Sequence, residues 1–453
     1  MERYSGDQHQ ENESIDQLVI TIGRVNPAHL ASMEEKILAM PKLLRNSAGQ
    51  NSCCIFRVPQ SLVQINLQAY HPHIISIGPY HYGKEHLNMI QEHKWRFLGS
   101  LLSRTRSKGL GLEDYLSAIK QLEGKSRNCY SQILNLSSDE LVEMLVLDGC
   151  FIVELFRIVG GVVQTDPDDP IFALSWVLSF LLRDLVKLEN QIPFFILQAL
   201  YDLSKMPEEE PGPCLATLAL ESFKYTVQIP SEVIQQNRSP NGRHLLDLLR
   251  SSFIPTTLTA ERPTRTDSST EMIQCVSKLR QAGIKFRVGK SENFLDIKFQ
   301  HGVLEMPSVT IDDFTTPFFL NCVALEQCYK HCSKHITTYA TLMDCLINTP
   351  RDVEFLCDNN VIENYFGTNG EVAHIFNILG KDVTFDIHRC YLTGVFDDVN
   401  EYYKNNWHMQ WASFKYTYFK TPWSFISALA AIILLILTMA QTFYTVYAYY
   451  RPP

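Results

Sequence analysis

Charged side chains interrupt an apolar stretch of the chain, LLRDLVKLENQIPFFILQALY, which runs from residue 181 to residue 201. The charged residues that concern us are Arg183, Asp184, Lys187 and Glu189. Such groups could act as acids and bases in a pocket, or they could form ion pairs that hold a core together. Asp184 and Glu189 lie about 140° apart on a helix of 3.6 residues per turn, so they do not face a common substrate. Asp184 and Lys187 are three residues apart and can pair locally.

A second pair of acids, Asp148 and Glu154, lies in the apolar sequence LVLDGCFIVELFR. On a helix these two carboxylates are about 120° apart, which does not suit an acid and a base flanking one bond. Because an unpaired buried charge is very costly, each acid needs a basic partner from another segment. We expect Asp148 and Glu154 to meet Arg183 or Lys187. The pattern therefore favours a structural role for these charges over a catalytic one.

Pro193 divides the 181–201 stretch into two predicted helices. Proline has no N–H and clashes with a preceding helical turn, but it is tolerated in the first turn of a helix. We therefore predict that LRDLVKLEN ends one helix and that QIPFFILQALY begins the next. Asn190 is the predicted N-cap of the second helix.

The sequence GPYHYGKE, Gly78 to Glu85, resembles most of a phosphate-binding loop. Gly78, Gly83 and Lys84 occupy the glycine and lysine positions, and Asp148 could play the part of a magnesium-holding aspartate. Glu85, however, replaces the hydroxyl residue that would bind magnesium, and it places a negative charge beside the phosphate. Asp148 also lies within a helical pattern rather than at the end of a strand. We therefore predict that this stretch is not a nucleotide site.

Four potential zinc ligands lie close together in the sequence CYKHCSKH, namely Cys328, His331, Cys332 and His335. Their spacing of i, i+3, i+4 and i+7 would place them on one helical face. One straight helix presents such residues as a row, whereas a structural zinc ion requires a tetrahedron of ligands. The preferred interpretation is that the cysteines face the core and the histidines lie at its edge. We find no G-x-S-x-G or H-E-x-x-H motif and predict no metal, no cofactor and no catalytic site.

The overall charge is acidic, with a formal net charge of −9 and a pI near 5.9 over 453 residues. Because there is no strong basic block, nucleic acid is not an expected partner. The twelve cysteines are scattered along the chain, which is unlike a small secreted disulfide scaffold. We expect most of them to be buried thiols in a reducing compartment. The polar start of the chain has no apolar segment typical of a secretory signal.

The C-terminal region has no charged residue from Thr421 to Tyr450. The 22 residues from Trp423 to Tyr444 would form a helix of about 33 Å, compared with a hydrocarbon core of about 30 Å. Trp423 at one end, and Tyr444 and Tyr447 at the other, suit the two membrane interfaces. Residues 422–447 are therefore predicted to be a transmembrane helix. A buried core helix is the alternative, although core helices are seldom so long and free of charge.

The rest of the pattern predicts a mainly α (α+β) body with a small β-hairpin. Residues 1–14 are expected to be disordered, and residues 15–404 to form the body. Within the body we expect a sub-boundary near 205–213 and a mobile loop at 255–270. The alternation in NFLDIKFQHGVLEMPSVTID predicts the hairpin, with its turn at His301-Gly302. A juxtamembrane segment, 405–421, and a short tail, 448–453, flank the transmembrane helix.

Several quoted stretches together resemble one plant family, domain of unknown function 247, also called the UPF0481 group. These stretches run in family order from about residue 54 to residue 447 and include IFRVP, INLQAYHPHIISIGPYHYGK, LVLDGCFIVELFR, LVKLENQIPFFIL, FLDIKFQHGVLEMPSVTIDD and PWSFISALAAIILLILTMAQTFY. The resemblance implies a plant protein with a single C-terminal membrane anchor and no known enzyme activity. Some relatives are associated with self-incompatibility in grasses, as pollen-side recognition proteins.

The predicted function is recognition or signalling at a membrane through protein–protein contact, with a nucleotide- or metal-dependent hydrolase as the alternative. The bilayer is the expected partner of the C-terminal helix, an unidentified protein is the expected partner of the body, and a homo-oligomer stays open. Either the plasma membrane or an endomembrane would suit.

The topology prediction places the body in the cytosol, because cationic flanks stay on that side. Lys404, Lys415 and Lys420 precede the helix, and Arg451 alone follows it. The competing topology places the body outside the cytosol. Three glycosylation sequons, which begin at Asn12, Asn135 and Asn237, distinguish the two topologies.

Overall fold

The computed structural model describes residues 26–209, 211–224, 226–227, 229, 242–254, 271–404 and 422–450. Several predictions fall outside these residues: the disordered N-terminus at 1–14, the loop at 255–270, the segment at 405–421, the sequons at Asn12 and Asn237, and the cationic residues Lys415, Lys420 and Arg451. The described residues form 18 α-helices and five short strands, and the protein is 60% helical. The prediction of a mainly α (α+β) fold is confirmed.

The helices are numbered here in chain order. They are α1 Pro27–Leu38, α2 Gln60–Ile65, α3 Leu67–Tyr70, α4 Gln91–Thr105, α5 Leu112–Arg127, α6 Ser138–Val159, α7 Pro170–Ala173, α8 Ser175–Leu185, α9 Phe194–Ser204, α10 Leu215–Phe223, α11 Leu245–Ser252, α12 Val276–Gln281, α13 Thr315–Cys328, α14 His335–Leu346, α15 Pro350–Asp358, α16 Asn369–Leu379, α17 Thr393–Lys404 and α18 Pro422–Tyr450.

The chain divides into two compact units, residues 1–42 and residues 43–453. In the first unit the structure describes α1, which begins after Asn26. The side chain of Asn26 accepts a 3.0 Å hydrogen bond from the Ala28 N–H and so caps the helix. None of the residues of α1 is buried.

Helix α6 is the central element of the second unit. It begins with a capping box, in which Ser137 accepts from the Glu140 N–H and the Glu140 carboxylate accepts from the Ser137 N–H. From Leu141 to Arg157 every residue except Glu143 is buried. Four helices, α4, α5, α9 and α10, pack against α6. A helix that is apolar on nearly every side must be surrounded by others, which explains its central position.

A small sheet lies farther along the chain, where β2 (Lys298–Gln300) and β3 (Val303–Met306) form an antiparallel hairpin. The predicted turn is confirmed, with His301 and Gly302 both at positive φ, 50° and 74°. A third strand, β1 (Lys285–Val288), pairs in parallel with β3 and was not predicted. A separate parallel pair joins β4 (Val309–Ile311) to β5 (Ile362–Asn364). The parallel pairings, β1 with β3 and β4 with β5, join segments that are not adjacent in sequence.

The connection between α8 and α9 differs from the prediction. Helix α8 ends at Leu185, and α9 begins at Phe194 with Pro193 as its N-cap, so the assignment of Asn190 as the N-cap is wrong. Residues 186–193 form a buried, non-helical connection. The side chain of Asn190 is used elsewhere: it binds the backbone of Ile75 and Ile77.

Candidate functional site

A segment that is buried except at His73, residues 73–78, belongs to no helix or strand, yet it passes through the charged core. Its backbone N–H and C=O groups cannot be satisfied by regular secondary structure, and a buried polar group without a partner is costly. Side chains from α4, α6, α8 and the 186–193 connection supply the missing partners. This arrangement accounts for Asp148, Asp184 and Lys187 among the charges singled out from the sequence.

Asp184 binds the beginning of this segment. Its carboxylate accepts hydrogen bonds from the backbone N–H groups of His73, Ile74 and Ile75, at 2.8 to 3.2 Å. The Nζ of Lys187 lies 3.2 Å from the same carboxylate, so the predicted local pair is confirmed. Burial acts to raise the pKa of Asp184, but the His73 hydrogen bond, Lys187 and the backbone N–H groups together lower it.

Asp148 binds the end of the segment. One carboxylate oxygen accepts from the Gly78 N–H at 2.8 Å, and the other lies 2.5 Å from the Nζ of Lys94. Lys94 also donates to the backbone oxygen of Ser76 at 2.5 Å. Burial raises the pKa of Asp148, although Lys94 and the Gly78 N–H act to lower it. The pair therefore joins α4, α6 and the 73–78 segment at one buried point.

The 186–193 connection binds the middle of the segment. Asn190 accepts from the Ile77 N–H at 2.7 Å and donates to the Ile75 oxygen at 3.2 Å. Gln191 donates to the oxygens of Leu185, at the end of α8, and of Lys187, at 2.7 and 2.8 Å. These side-chain amides satisfy buried backbone groups that no helix or strand satisfies.

Glu189 serves a neighbouring stretch of backbone. Its carboxylate accepts from Arg57 at 2.5 Å and from the Val58 N–H at 2.9 Å, and it lies 3.3 Å from the Nε2 of His81. Burial acts to raise the pKa of Glu189, but His81, Arg57 and the Val58 N–H together lower it to about 2. The carboxylate is thus held ionised and is fully engaged.

Glu154 forms a separate cluster on α6. It pairs with Arg104 at 2.5 Å and with Arg157 at 2.8 Å. Arg157 is fully buried and also donates to the Ser204 hydroxyl at 2.8 Å. Glu209 completes the cluster, 2.7 Å from Arg104.

The predicted partners of Asp148 and Glu154 are therefore wrong. Arg183 instead pairs at 3.2 Å with Asp313, whose side chain is 63% exposed, and Lys187 pairs with Asp184. The bases that α6 uses, Lys94 and Arg104, come from α4, because α4 packs directly against α6. The sequence held one signal for Lys94: it lies on a stripe of helical spacing whose other members are apolar, and the structure buries that whole stripe, Leu87, Ile90, Lys94, Phe97 and Leu101.

The residues of the phosphate-loop resemblance are used differently in the fold. Gly78 has a φ of +72°, and a Cβ atom there would lie 2.4 Å from the Gln191 oxygen, so only glycine fits. Its N–H, which a phosphate would need, already donates to Asp148. Gly83 is exposed at a φ of +77°, and the Nζ of Lys84 lies 2.8 Å from the Nδ1 of His81. The structure thus brings Gly78 and Asp148 together in direct contact without Lys84.

The Cys/His cluster does not lie on one helix, so that prediction is wrong. Helix α13 ends at Cys328 and α14 begins at His335, which leaves His331 and Cys332 in the connection. The ring of His335 stacks on that of Tyr391 with centroids 4.9 Å apart. Burial raises the pKa of both Cys328 and Cys332 to about 12, which favours thiols over metal-binding thiolates. Among the described residues no group of three or more histidines, cysteines and acids is arranged to hold a metal ion.

The C-terminal helix, α18, extends over 29 residues, from Pro422 to Tyr450. Its part from Ile426 to Tyr447 is long and apolar enough to cross a membrane. The three predicted interface residues are exposed, Trp423 by 80%, Tyr444 by 70% and Tyr447 by 51%. The 22 residues from Trp423 to Tyr444 extend over about 33 Å of helix.

Threonine hydroxyls of α18 donate within the helix. Thr438 donates to the Leu434 oxygen at 2.7 Å, and Thr442 and Thr445 donate to the oxygens four residues before them at 2.8 Å. A bilayer offers no water to polar groups, so hydrogen bonds satisfied inside the helix suit that surrounding.

Comparisons with known proteins identify the family of the chain. The chain matches the family DUF247, described as plant protein of unknown function, over residues 55–437. It is 40% identical over 430 residues to the Arabidopsis thaliana UPF0481 protein At3g47200, covering 90% of this chain and 89% of that relative. It is 21% identical over 490 residues to the putative UPF0481 protein At3g02645 of Arabidopsis thaliana, covering 87% and 90%. No solved structure matches. The chain belongs to the DUF247 family of plant proteins of unknown function.

Proposed function

We propose that this protein is anchored in a membrane by α18 and acts there in recognition or signalling, through contact between its helical body and another protein. The observation that carries the proposal is α18 itself: it has 29 residues, it bears no charged side chain, and its large apolar residues are exposed. An exposed apolar surface of this length would be very unfavourable in water and is favourable in a bilayer.

The engaged charges of the body support a binding role over a catalytic one. Asp148, Asp184 and Glu189 each accept hydrogen bonds from backbone N–H groups as well as from basic side chains. A general acid or base must have access to a substrate proton. The oxygens of these carboxylates accept hydrogen bonds within the fold. We therefore assign the function of the body to its surface.

Removal of α18 tests the anchor. The full chain, expressed in plant cells, should stay in the membrane pellet after alkaline carbonate extraction, and a chain that ends at residue 421 should be soluble. A matched control reverses the order of residues 426–447, which keeps their composition and should preserve anchoring. A truncated chain that still resists carbonate would contradict the proposal.

The proposed topology places the body in the cytosol. Asn135 provides the readout, because it is exposed in the described part of the body and begins an N-glycosylation sequon. The expected result is no change of gel mobility on treatment with glycosidase. The control is Asn135→Gln rather than a change at Ser137, since Ser137 caps α6. A mobility shift that Asn135→Gln abolishes would place the body outside the cytosol.

A further inference from the structure

A groove of about 560 Å³ opens between α4 and α5, with α6 as its floor. Helices α4 and α5 both pack against α6. Val142, Val146 and Leu147 of α6 line the floor, and Leu98 of α4 lines one side. The groove is therefore apolar and is bounded by three helices.

The residues that line the groove are spaced as on one face of a helix. The residues that α6 presents to the groove, Asp139, Val142, Glu143 and Val146, lie at i, i+3, i+4 and i+7, so they form one face that runs along the helix for about two turns. On α5 the lining residues Leu112, Leu116 and Lys120 repeat every four positions. Packed helices bury such stripes against a further helix, as in a four-helix bundle. A further helix laid along the groove would run beside these stripes and cover their exposed members, among them Leu112, Asp139 and Glu143.

Large apolar side chains form the rim of the groove. Trp95 of α4 is 47% exposed and Leu112 of α5 is 43% exposed. Tryptophan is enriched among the residues that dominate the binding energy of protein interfaces. Trp95 and Leu112 are therefore suited to a partner that covers both rims of the groove and inserts apolar side chains between them.

The charge at the rim is acidic. Lys120 lies 3.2 Å from Asp139 and 3.7 Å from Glu123, so its charge is matched within the protein. Glu143 is exposed and forms no salt bridge with any residue in the described part of the chain. A lysine or arginine of a partner would complement Glu143.

We propose that the α4–α5–α6 groove receives an amphipathic helix of a partner protein, with its aliphatic face on the exposed Trp95 and Leu112 and a basic residue opposite Glu143. The inference deepens the proposed function, on which it rests, by assigning the contact surface of the body and the chemistry of its partner. An amphipathic helix repeats its apolar residues at the spacing that contact with the groove requires. The unpaired Glu143 carboxylate explains why the partner should carry a basic residue.

A pair of synthetic peptides tests the proposal. Each has about 16 residues, enough for about four helical turns, with leucines on one face and either lysines or glutamates along its border. Fluorescence anisotropy measures their binding to the full-length protein in phosphatidylcholine nanodiscs, and empty nanodiscs supply the background from lipid. The lysine peptide should bind at least about tenfold more tightly than the glutamate peptide.

Two pairs of variants locate the binding. Trp95→Ala should weaken the lysine peptide by roughly 30-fold, whereas Trp176→Ala, on α8 and equally 47% exposed, should leave it unchanged. Glu143→Lys should reverse the preference between the two peptides, and Glu354→Lys, at an exposed position of α15, should not. Equal effects of Trp95→Ala and Trp176→Ala, or no binding of the lysine peptide above background, would overturn the proposal. Anchoring is measured separately by carbonate extraction, so failure of the groove and failure of the proposed anchor are distinguishable.

Discussion

Two long apolar helices of this protein, α6 and α18, have opposite surroundings. Helix α6 has 22 residues, 16 of them buried, and includes the charged residues Asp148, Glu154 and Arg157. Helix α18 has 29 residues with exposed apolar side chains and no charge. At about 33 Å, α6 is also long enough to cross a bilayer, so length and apolarity alone do not separate a core helix from a membrane span.

The difference between the two helices lies in their polar groups. In α6 each buried charged side chain meets a partner from a neighbouring segment, as Asp148 meets Lys94 at 2.5 Å and Glu154 meets Arg104 at 2.5 Å. In α18 the threonine hydroxyls bond to the helix itself, so this helix needs no neighbour for them. A buried charge is tolerated where a neighbouring element supplies a partner of opposite charge. In hydrocarbon no such partner is present, and the charge is very costly.

The largest effect is expected when charges are placed in α18. Ile432→Asp with Leu435→Asp places two carboxylates near the middle of the helix, and each costs about 2.5–3.5 kcal/mol on insertion. The double variant should leave the membrane pellet in carbonate extraction, whereas the control Ile432→Ala with Leu435→Ala should remain there. If the aspartate variant stays fully integrated, α18 is not a simple lipid-facing span.

The converse change in α6 should destabilise the body. Asp148→Leu leaves Lys94 buried without its carboxylate, and loss of one member of a buried pair costs on the order of 3–5 kcal/mol. Urea unfolding should show this loss, and Lys94→Met with Asp148→Leu should recover much of it. Asp139→Leu is the matched control, because the Asp139 side chain is 97% exposed on the same helix. A stably folded Asp148→Leu protein that has lost a defined activity would indicate a catalytic carboxylate instead.

Acid should affect the body and not α18, which has no acidic or basic side chain. His244 caps α11, and its Nε2 lies 3.0 Å from the Cys54 oxygen. Burial lowers the pKa of His244 from 6.5 to about 4, even though the nearby Asp247 acts to raise it. Between these values the unfolded state binds more protons, so stability is present above pH 6.5 and falls as the pH drops towards 4, by about 1.4 kcal/mol per pH unit.

Urea unfolding at a series of pH values measures this dependence. The variant His244→Asn retains a side chain that can cap the helix and should reduce the slope of the curve between pH 6.5 and 4. Part of the slope should remain, because burial also lowers the pKa of His71 and of His81. Glu189, with its pKa lowered from 4.5 to about 2, should still make the protein less stable below pH 4.5 in that variant. An unchanged slope in His244→Asn would assign the upper part of the dependence to another group.

The smallest effect is expected at the Cys/His cluster. Burial holds Cys328 and Cys332 as thiols, so Cys328→Ser with Cys332→Ser should leave the metal content of the purified protein unchanged. Inductively coupled plasma mass spectrometry measures that content. One equivalent of zinc in the unmodified protein, absent from the double variant, would reverse this prediction.

Local features of the fold were predictable from the sequence. The Ser137–Glu140 capping box, the stripe of α4 and the turn at His301-Gly302 all depend on residues within a few positions of each other. The same applies to the length of the uncharged C-terminal segment. Where the prediction failed, at Asn190, a distant backbone competed for the side chain: Asn190 binds Ile75 and Ile77, which lie 115 and 113 residues away.

The sequence by itself determined which groups must be satisfied, and the tertiary structure decided how they are satisfied. Composition and spacing required that Asp148, Glu154, Asp184 and Glu189 find partners, since buried charges are costly in any fold. Only the packing of α4 against α6, and of the 186–193 connection against the 73–78 segment, selected Lys94, Arg104 and the backbone N–H groups over Arg183. The groove at α4, α5 and α6 has the same origin, because each helix is specified locally, whereas the space between three helices depends on how they pack together.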